Sequence, residues 1–235
     1  MKIFNIVITS SRNVLPEEKL AAARTQVLEH CDFVIDIGAN SGQWISNVRK
    51  HGYNGPALCI EPIKEIYDKL KANKFPNTET LNCAVGNLNG YVIINCASNE
   101  GLSSSILELE GTYRESTPHI KYVRREKSSI LKLSRILEEV KGEKLFIKID
   151  TQGFEFEILK SLNQMNYHRI YAFEIEASLV KSYKGSTLVE DVIKYLRHKG
   201  YKPLRIENGF GLPNFGQQLE VDILFVKCES NTLDT

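Results

Sequence analysis

Short apolar stretches alternate with amphipathic stretches along most of the chain. The clearest of them, residues 33–37, leads directly into Gly38 and a polar turn, and a helical pattern begins at Trp44. A continuous apolar run followed by a turn and a helix is typical of a buried parallel strand in an α/β sheet. Such sheets bind ligands at the carboxyl ends of their strands, so this turn is expected to face a ligand.

The same alternation continues to the end of the chain. It predicts further core strands at residues 57–61, 80–85, 145–149, 170–174, 201–206 and 221–226, and an extra strand at 91–96 paired through a turn at 87–90. Helices are predicted at residues 16–29, 43–51, 63–71, 134–141, 155–162 and 188–199. This order predicts an α/β fold, a doubly wound and mostly parallel seven-stranded sheet with helices on both faces.

Two segments depart from this rhythm. Residues 1–29 form an N-terminal extension whose helix we expect to cover the sheet edge, cap the ligand site or pack against a partner, for example in a homodimer. Its first ten residues favour a strand or ordered arm over a signal peptide. The second segment, at about 97–143, is a variable insertion within one domain at 30–228, either a substrate-selecting lid or a surface excursion with a basic face.

Composition narrows the function classes. The 235 residues are 42% hydrophobic and 25% charged, with a formal net charge of +1, so no global basic field favours nucleic acid or an anionic membrane. No apolar run approaches the roughly 20 residues that span a bilayer. The five cysteines include no Cys-x-x-Cys pair, which favours reduced thiols and a cytoplasmic location.

Four predicted strands end in carboxylates, at Asp36, Glu61, Asp150 and Glu174. Parallel strands bring such residues to one edge of the sheet, where ligands bind. Glu61 follows Gly38 by 23 positions, a spacing at which an acid accepts hydrogen bonds from the ribose of a nucleoside cofactor.

The turn does not match a dinucleotide fingerprint. Asn40 and Gln43 occupy the second and third glycine positions, where glycine lets the backbone approach a pyrophosphate and lets helix and strand pack closely. A cofactor without phosphates fits better, and Asp36 can favour a nearby cation. S-adenosylmethionine therefore suits the turn better than NAD. No P-loop occurs, and the five histidines lack a metal-ligand spacing, so no metal is expected.

The chain resembles the FkbM family of S-adenosylmethionine-dependent methyltransferases over roughly residues 30–227. The matching stretches are residues 34–43 (VIDIGANSGQ), 60–62 (IEP), 82–86 (NCAVG), 148–155 (KIDTQGFE), 158–160 (ILK), 173–175 (FEI) and 221–225 (VDILF). The 34–43 stretch is shared by many methyltransferases. The 148–155 stretch, in its order after the others, is specific.

This resemblance implies a class I, Rossmann-like methyltransferase sheet whose last strand is antiparallel. It implies that the turn passes under the methionine end of the cofactor, that Glu61 binds the ribose, and that Asp150 stands near the transferring methyl group. The residues that it places at the cofactor are Asp36, Gly38, Ala39, Asn40, Gly42, Gln43, Glu61, Pro62, Asn82, Ala84, Ser104 and Asp150, with Ser105 beside Ser104.

Family members commonly methylate hydroxyl groups. The expected reaction is therefore in-line methyl transfer to a hydroxyl of a sugar, glycan or small metabolite. Asp150 is the first candidate for the general base, and Glu174 and His119 are the alternatives. A NAD(P)-dependent oxidoreductase and a catalytically silent interaction module remain competing hypotheses. Nucleic-acid methylation through the basic insertion has less support, because the net charge is near zero.

Overall fold

The computed structural model describes residues 16–212 and 216–228. Its strands are β1 (Phe33–Ile37), β2 (Ala57–Ile60), β3 (Thr78–Leu81), β4 (Ala84–Gly86), β5 (Gly90–Ala97), β6 (Tyr122–Lys132), β7 (Leu145–Ile149), β8 (Ile170–Ser178), β9 (Tyr201–Asn208), β10 (Gly211–Leu212), β11 (Gln217–Gln218) and β12 (Glu220–Lys227). Its helices are α1 (Pro16–Leu28), α2 (Gln43–Lys50), α3 (Lys64–Ala72), α4 (Gly111–Ser116), α5 (Leu133–Leu137), α6 (Glu155–Lys160), α7 (Gln164–Arg169) and α8 (Val189–His198).

The main sheet has seven strands in the order β3-β2-β1-β7-β8-β12-β9. The first five are mutually parallel, and β12 runs antiparallel between β8 and β9. Strands β2 and β7 are buried along their whole length and, apart from Lys148, are apolar, as is typical of strands covered on both faces. The predicted fold class is confirmed. Strand order changes direction between β1 and β7, and such a switch point opens a crevice at the carboxyl edge.

The predicted strand at 80–85 is wrong in one respect, because it is two strands in two different sheets. Strand β3 ends at Leu81, and β4 begins at Ala84 in a smaller sheet of order β4-β6-β5. Between them, the Asn82 side-chain amide donates to the carbonyls of Glu61 (2.8 Å) and Pro62 (3.1 Å). These bonds hold the chain at the end of β2 while it changes sheets.

The extra strand predicted at 91–96 exists as β5, but its partner differs from the expected one. It pairs antiparallel with β6, and β4 also pairs with β6, in parallel. The insertion, expected to be either a substrate-selecting lid or a surface excursion, therefore supplies an 11-residue strand and a short helix, α4. Apolar residues of the insertion pack against Tyr183 and Leu219 of the main domain in a separate hydrophobic cluster. Its buried members from the insertion are Ala97, Leu109, Tyr113 and Ile120.

Helices cover both faces of the main sheet. Buried residues of α5, α6 and α8 pack on one face, and those of α1, α2 and α3 pack on the other. The predicted N-terminal helix is confirmed as α1, which covers the sheet by placing Leu20 and Val27 in one cluster with Val34, Phe146 and Leu224. The arm predicted for the first ten residues lies outside the described part of the chain. Among the described helices, none has the length and apolarity that crossing a bilayer requires.

Candidate functional site

The turn after β1 is packed against the ends of two neighbouring strands. The amides of Gly38 and Ala39 both donate to the Ile60 carbonyl at 3.0 Å. Gly38 has φ +79°, and a Cβ atom at this position would lie 1.8 Å from the carbonyl oxygen of Asp150. Only glycine fits this conformation and this space.

Asn40 shows why the second glycine of a dinucleotide turn is not needed here. It adopts a left-handed backbone (φ 48°), which asparagine tolerates better than most residues. Its side-chain oxygen accepts from the amide of Ser41 (2.7 Å) and from Gln43 Nε2 (3.1 Å), and its Nδ2 donates to the Glu100 carbonyl (3.2 Å). The side chain thus ties the turn to the start of α2 and to the insertion.

Glu61 lies at the end of β2 and is only 5% exposed. Its two oxygens accept from the amides of Asn40 (3.0 Å) and Ile63 (2.9 Å). Burial raises the pKa of Glu61 to about 7, although these two amides oppose the rise. Each carboxylate oxygen has a second acceptor direction, so the group can still take hydrogen bonds from vicinal hydroxyls.

Asp36 lies beneath the turn and is fully buried. Neither carboxylate oxygen has a hydrogen-bond partner among the described residues. Burial raises the pKa of Asp36 to about 7, and the charge of Lys148 opposes the rise. A buried carboxylate without a partner is costly, so it favours a cationic or hydrogen-bond-donating ligand nearby.

A cavity of about 670 Å³ opens at these strand ends, between the main sheet and the smaller sheet. Seven of the predicted cofactor residues line it: Gly38, Asn40, Glu61, Pro62, Ala84, Ser104 and Asp150. Ser105 lines it as well, and its hydroxyl donates to the Gln152 carbonyl at 2.7 Å. The sequence-derived set is thus largely brought together in one place.

The other predicted cofactor residues, Asp36, Ala39, Gly42, Gln43 and Asn82, do not line the cavity. Gly42 begins α2 with φ +95°, and a Cβ there would lie 2.3 Å from the Phe75 ring. Gln43 and Asn82 contribute through the hydrogen bonds described above. These residues shape the cavity wall and its strand ends without forming its surface.

Several lining residues were not predicted from sequence, namely Ile37, Ile60, Ile63, Cys83, Val85, Ile94, Gly101, Leu102, Ile106, Thr151 and Gln152. Most are apolar, and such walls suit a purine ring. Ile63 directly follows the 60–62 stretch and Gln152 lies within the 148–155 stretch, so their place in the chain was a usable signal. Ile94 and Ile106 gave none, because they reach the cavity through the β4-β6-β5 sheet and the packed insertion.

Asp150 lies at the end of β7 with its side chain partly exposed. Its carboxylate accepts from Lys148 Nζ (2.8 Å) and from Gln152 Nε2 (3.0 Å). Burial would raise the pKa of Asp150, but the charge and hydrogen bond of Lys148 outweigh it and hold this pKa below its ordinary value. Asp150 is therefore ionised at neutral pH.

Glu176 shares the same glutamine and was not assigned from sequence. Gln152 Nε2 also donates to Glu176 Oε2 (2.5 Å), and Tyr183 donates to Gln152 Oε1 (2.6 Å). Burial, together with the charges of Asp150 and Glu220, raises the pKa of Glu176 well above its ordinary value. Two carboxyl groups whose pKa values are shifted in opposite directions thus lie side by side, joined by the Gln152 amide.

The structure does not bring the two alternative bases to the cavity. Glu174 is 2% exposed, and its oxygens accept from Arg24 Nε (2.5 Å), Arg24 Nη2 (2.7 Å) and Trp44 Nε1 (2.8 Å). A carboxylate engaged in this buried ion pair is poorly placed to take a proton. His119 is exposed after α4 and is absent from the cavity lining.

The carboxylates at this edge do not converge on a common point. Within the described ranges, no three His, Cys, Asp or Glu side chains are arranged to hold a metal ion. The site therefore offers three different groups to a ligand. Glu61 can accept hydrogen bonds from ribose hydroxyls, Asp36 is a buried carboxyl group without a hydrogen-bond partner among the described residues, and Asp150 is an ionised carboxylate.

The chain is similar to several solved structures of methyltransferases. The METTL16 MTase domain aligns with a TM-score of 0.50 at 8% identity, over 89% of this chain and 67% of that one. Precorrin-6y C5,15-methyltransferase from Geobacter metallireducens GS-15 aligns at 0.46 and 13% identity, over 97% of both chains. Ribosomal protein L11 methylase from Lactobacillus delbrueckii subsp. bulgaricus aligns at 0.46 and 9% identity, over 90% and 79%. At these identities the likeness concerns the fold. No curated protein matches the chain.

The family comparison reaches further than the fold. Residues 36–203 match the family described as the methyltransferase FkbM domain. The matched range begins at the buried acid of the first turn and includes Glu61, Asp150 and the insertion, and it favours methyl transfer over the oxidoreductase alternative. On this evidence, the chain belongs to the FkbM family and is an S-adenosylmethionine-dependent methyltransferase.

Proposed function

We propose that this methyltransferase acts on a hydroxyl group of a sugar, glycan or small hydroxylated metabolite. The observation that carries the proposal is Asp150, an ionised carboxylate on the cavity wall next to the turn that holds the cofactor. A hydroxyl is a weak nucleophile unless a neighbouring group accepts its proton, and such help is typically worth about 10²–10⁴-fold in rate.

The residues present fit S-adenosylmethionine, which supplies a methyl group activated on a sulfonium. Glu61 would accept hydrogen bonds from the ribose, and the apolar wall around Ala84 and Ile94 would hold the adenine. Asp36 accepts no hydrogen bond from the part of the chain that the structure describes, and its charge would favour the cationic methionine end. Gly38 lets the turn pass directly against the end of β7, because a Cβ there would overlap the Asp150 carbonyl.

Asp150 would orient the acceptor hydroxyl and accept its hydrogen bond. Lys148 keeps the carboxylate ionised, and Gln152 fixes the orientation of its second oxygen. A carboxylate with a low pKa is a modest base, so much of the rate would come from positioning. Neither Glu174, which is held by Arg24, nor the exposed His119 offers a comparable group.

Two measurements test this proposal. Calorimetry should detect binding of S-adenosylhomocysteine to the purified protein, and a methyl-donor turnover screen should cover sugars, glycolipids and small hydroxylated metabolites. Asp150→Asn should lower turnover by about 10²-fold or more. The same variant should leave the S-adenosylhomocysteine dissociation constant within about fivefold.

Three results would contradict the proposal. Turnover only on amine or carbon acceptors would remove the hydroxyl assignment. Donor binding without turnover on any acceptor would favour the silent interaction module. An Asp150→Asn protein that keeps full activity would remove the role proposed for Asp150.

A further inference from the structure

A second concave surface lies on the outside of the insertion, which we call the basic groove. It has a volume of about 1130 Å³ and is lined by Glu108, Leu109, Arg114, Glu115, Pro118, Ile120, Lys121, Tyr122, Arg125 and Lys184. Four of these side chains are cationic and two are carboxylates, which leaves an excess of two positive charges. The whole chain carries a formal net charge of only +1, so positive charge is concentrated here.

The walls of the groove are built from ordered structure. Leu109 forms a bridge with Tyr183, and the Lys184 amide donates to the Glu108 carbonyl at 2.8 Å. On the opposite wall, the Tyr122 hydroxyl donates to the Leu107 carbonyl at 2.9 Å. The groove is thus built from ordered residues, and the hydrogen bond between Lys184 and Glu108 ties it to the main domain.

The cations of the groove are only partly neutralised. Lys184 Nζ lies 2.9 Å from Glu108 Oε2, and Arg125 Nη2 lies 3.8 Å from the other oxygen of the same carboxylate. The hydrogen bond and charge of Lys184, and then Arg125 and Arg114, hold the pKa of Glu108 below its ordinary value. Among the described residues, neither Arg114 nor Lys121 has a carboxylate partner.

Arg125 is oriented as an anion-binding arginine would be. Its Nε donates to Asn95 Oδ1 at 3.2 Å, which fixes the guanidinium plane, while the side chain remains 70% exposed. An arginine held through Nε presents its two terminal nitrogens to a ligand, and this planar pair matches phosphate oxygens. The apolar surfaces of Leu109, Ile120 and Tyr122 lie alongside.

The groove is connected to the cofactor cavity through packed structure. Ile106 lines the cavity, and Leu109, three residues further along the chain, lines the groove. Lys184 of the groove follows Tyr183, whose hydroxyl donates to Gln152 beside Asp150. The Tyr183 side chain therefore links the wall of the groove to the glutamine that holds Asp150.

We propose that the basic groove binds the phosphate of a phosphorylated small-molecule acceptor, with Arg114, Lys121 and Arg125 as the main anion contacts. As an acceptor assignment, this inference rests on the proposed methyltransferase function. Anion binding itself does not depend on the methyl donor, so the two can fail separately.

The test uses inorganic pyrophosphate as the probe, titrated calorimetrically into the full-length protein without donor. Pyrophosphate should bind, and its affinity should fall as ionic strength rises from roughly 50 to 300 mM. The double variant Arg114→Glu/Lys121→Glu should weaken binding by about 30-fold or more. The matched control Lys202→Glu makes a charge reversal at an exposed position on β9 and should change the affinity by less than about twofold.

S-adenosylhomocysteine is titrated into the same proteins to separate this inference from the proposed function. An unchanged dissociation constant in the double variant shows that the fold and donor site are intact. The inference is overturned if pyrophosphate does not bind, or if it binds the double variant as well as the parent. A single-stranded RNA that binds while pyrophosphate does not would equally overturn it in favour of a polynucleotide surface.

Discussion

On one side of the binding edge, at β1 and β2, the Glu61 carboxylate accepts from backbone amides, and the Asp36 carboxylate has no hydrogen-bond partner among the described residues. On the other side, at β7 and β8, Asp150 and Glu174 each meet a cation directly. We call these the donor side and the acceptor side. All four residues looked equivalent in the sequence, which predicted each of them at the end of a strand. That prediction is wrong for Glu174, because β8 continues to Ser178 and places Glu174 in its middle.

The difference lies in what each side leaves for a ligand. The donor-side carboxylates have pKa values raised to about 7, so their charge is costly until a ligand supplies hydrogen bonds or a positive charge. On the acceptor side, the charges of the two carboxylates are balanced by cationic side chains of the protein, Lys148 and Arg24. Glu174 consequently fixes α1 to the sheet, and Asp150 is ionised before any ligand arrives.

The largest effect should come from Gly38→Ala, which breaks the contact between the two sides. The new Cβ would overlap the Asp150 carbonyl at 1.8 Å and force the strand ends apart. We expect a loss of about 4 kcal/mol or more in the free energy of unfolding, measured by chemical denaturation. Detectable S-adenosylhomocysteine binding should also disappear.

Gly52→Ala is the matched control for this change. Gly52 also has positive φ (+98°), but a Cβ there would meet no atom within 4 Å. Only backbone strain of about 1–2 kcal/mol is expected. Equal losses in the two variants would show that the close approach of β1 and β7 is unimportant.

Arg24→Met should have the next largest effect, because it leaves Glu174 buried without its cation. Removing one partner of a buried ion pair typically costs 3–5 kcal/mol, and we expect about 3 kcal/mol by denaturation. The exposed pair of Arg135 with Glu138 and Glu139 provides the control, and Arg135→Met should cost under about 1 kcal/mol.

The Arg24→Met variant also tests whether a change on the acceptor side affects ligand binding on the donor side. The S-adenosylhomocysteine dissociation constant of Arg24→Met should stay within about threefold of the parent under conditions where the protein is folded. A loss of donor binding as large as the loss of stability would show that α1 and the donor side act as one unit.

The smallest predicted effect is a pH dependence confined to the donor side. Asp36 and Glu61 are largely protonated below pH 7 and ionised above it. The nearby charge of Asp150 contributes to raising both pKa values. Because ligand hydroxyls and cations favour the ionised form, S-adenosylhomocysteine should bind about tenfold more weakly at pH 6 than at pH 8 for each group. Calorimetry at several pH values measures this slope.

Glu61→Gln removes one of the two titrating groups and should flatten the profile. The ligand-free protein should show the opposite trend in stability. A native state with raised acid pKa values binds more protons than the unfolded chain, so these groups make the free energy of unfolding fall as the pH rises from about 4 to 7. A pH-independent affinity in the parent would contradict the donor-side description.

The sequence was sufficient wherever structure depends on neighbouring residues. The turn at Gly38, the strand ends at Glu61 and Asp150, and helix α1 all follow from local pattern. The partner of Glu174 could not be predicted, because Arg24 lies 150 residues away and no periodicity links them. The β4-β6-β5 sheet was missed for the same reason, since Ala84 pairs with Ile130 across a segment without a regular pattern.

Trp44 is the single tryptophan of the chain, and its indole lies at the junction of three elements. Its Nε1 donates to Glu174 on β8, and the Arg24 guanidinium of α1 lies 5.2 Å from its ring centroid. The molecule therefore contains an intrinsic fluorophore at the contact between its N-terminal helix and its sheet. Emission from this one residue reports whether that helix is seated, without any label being added.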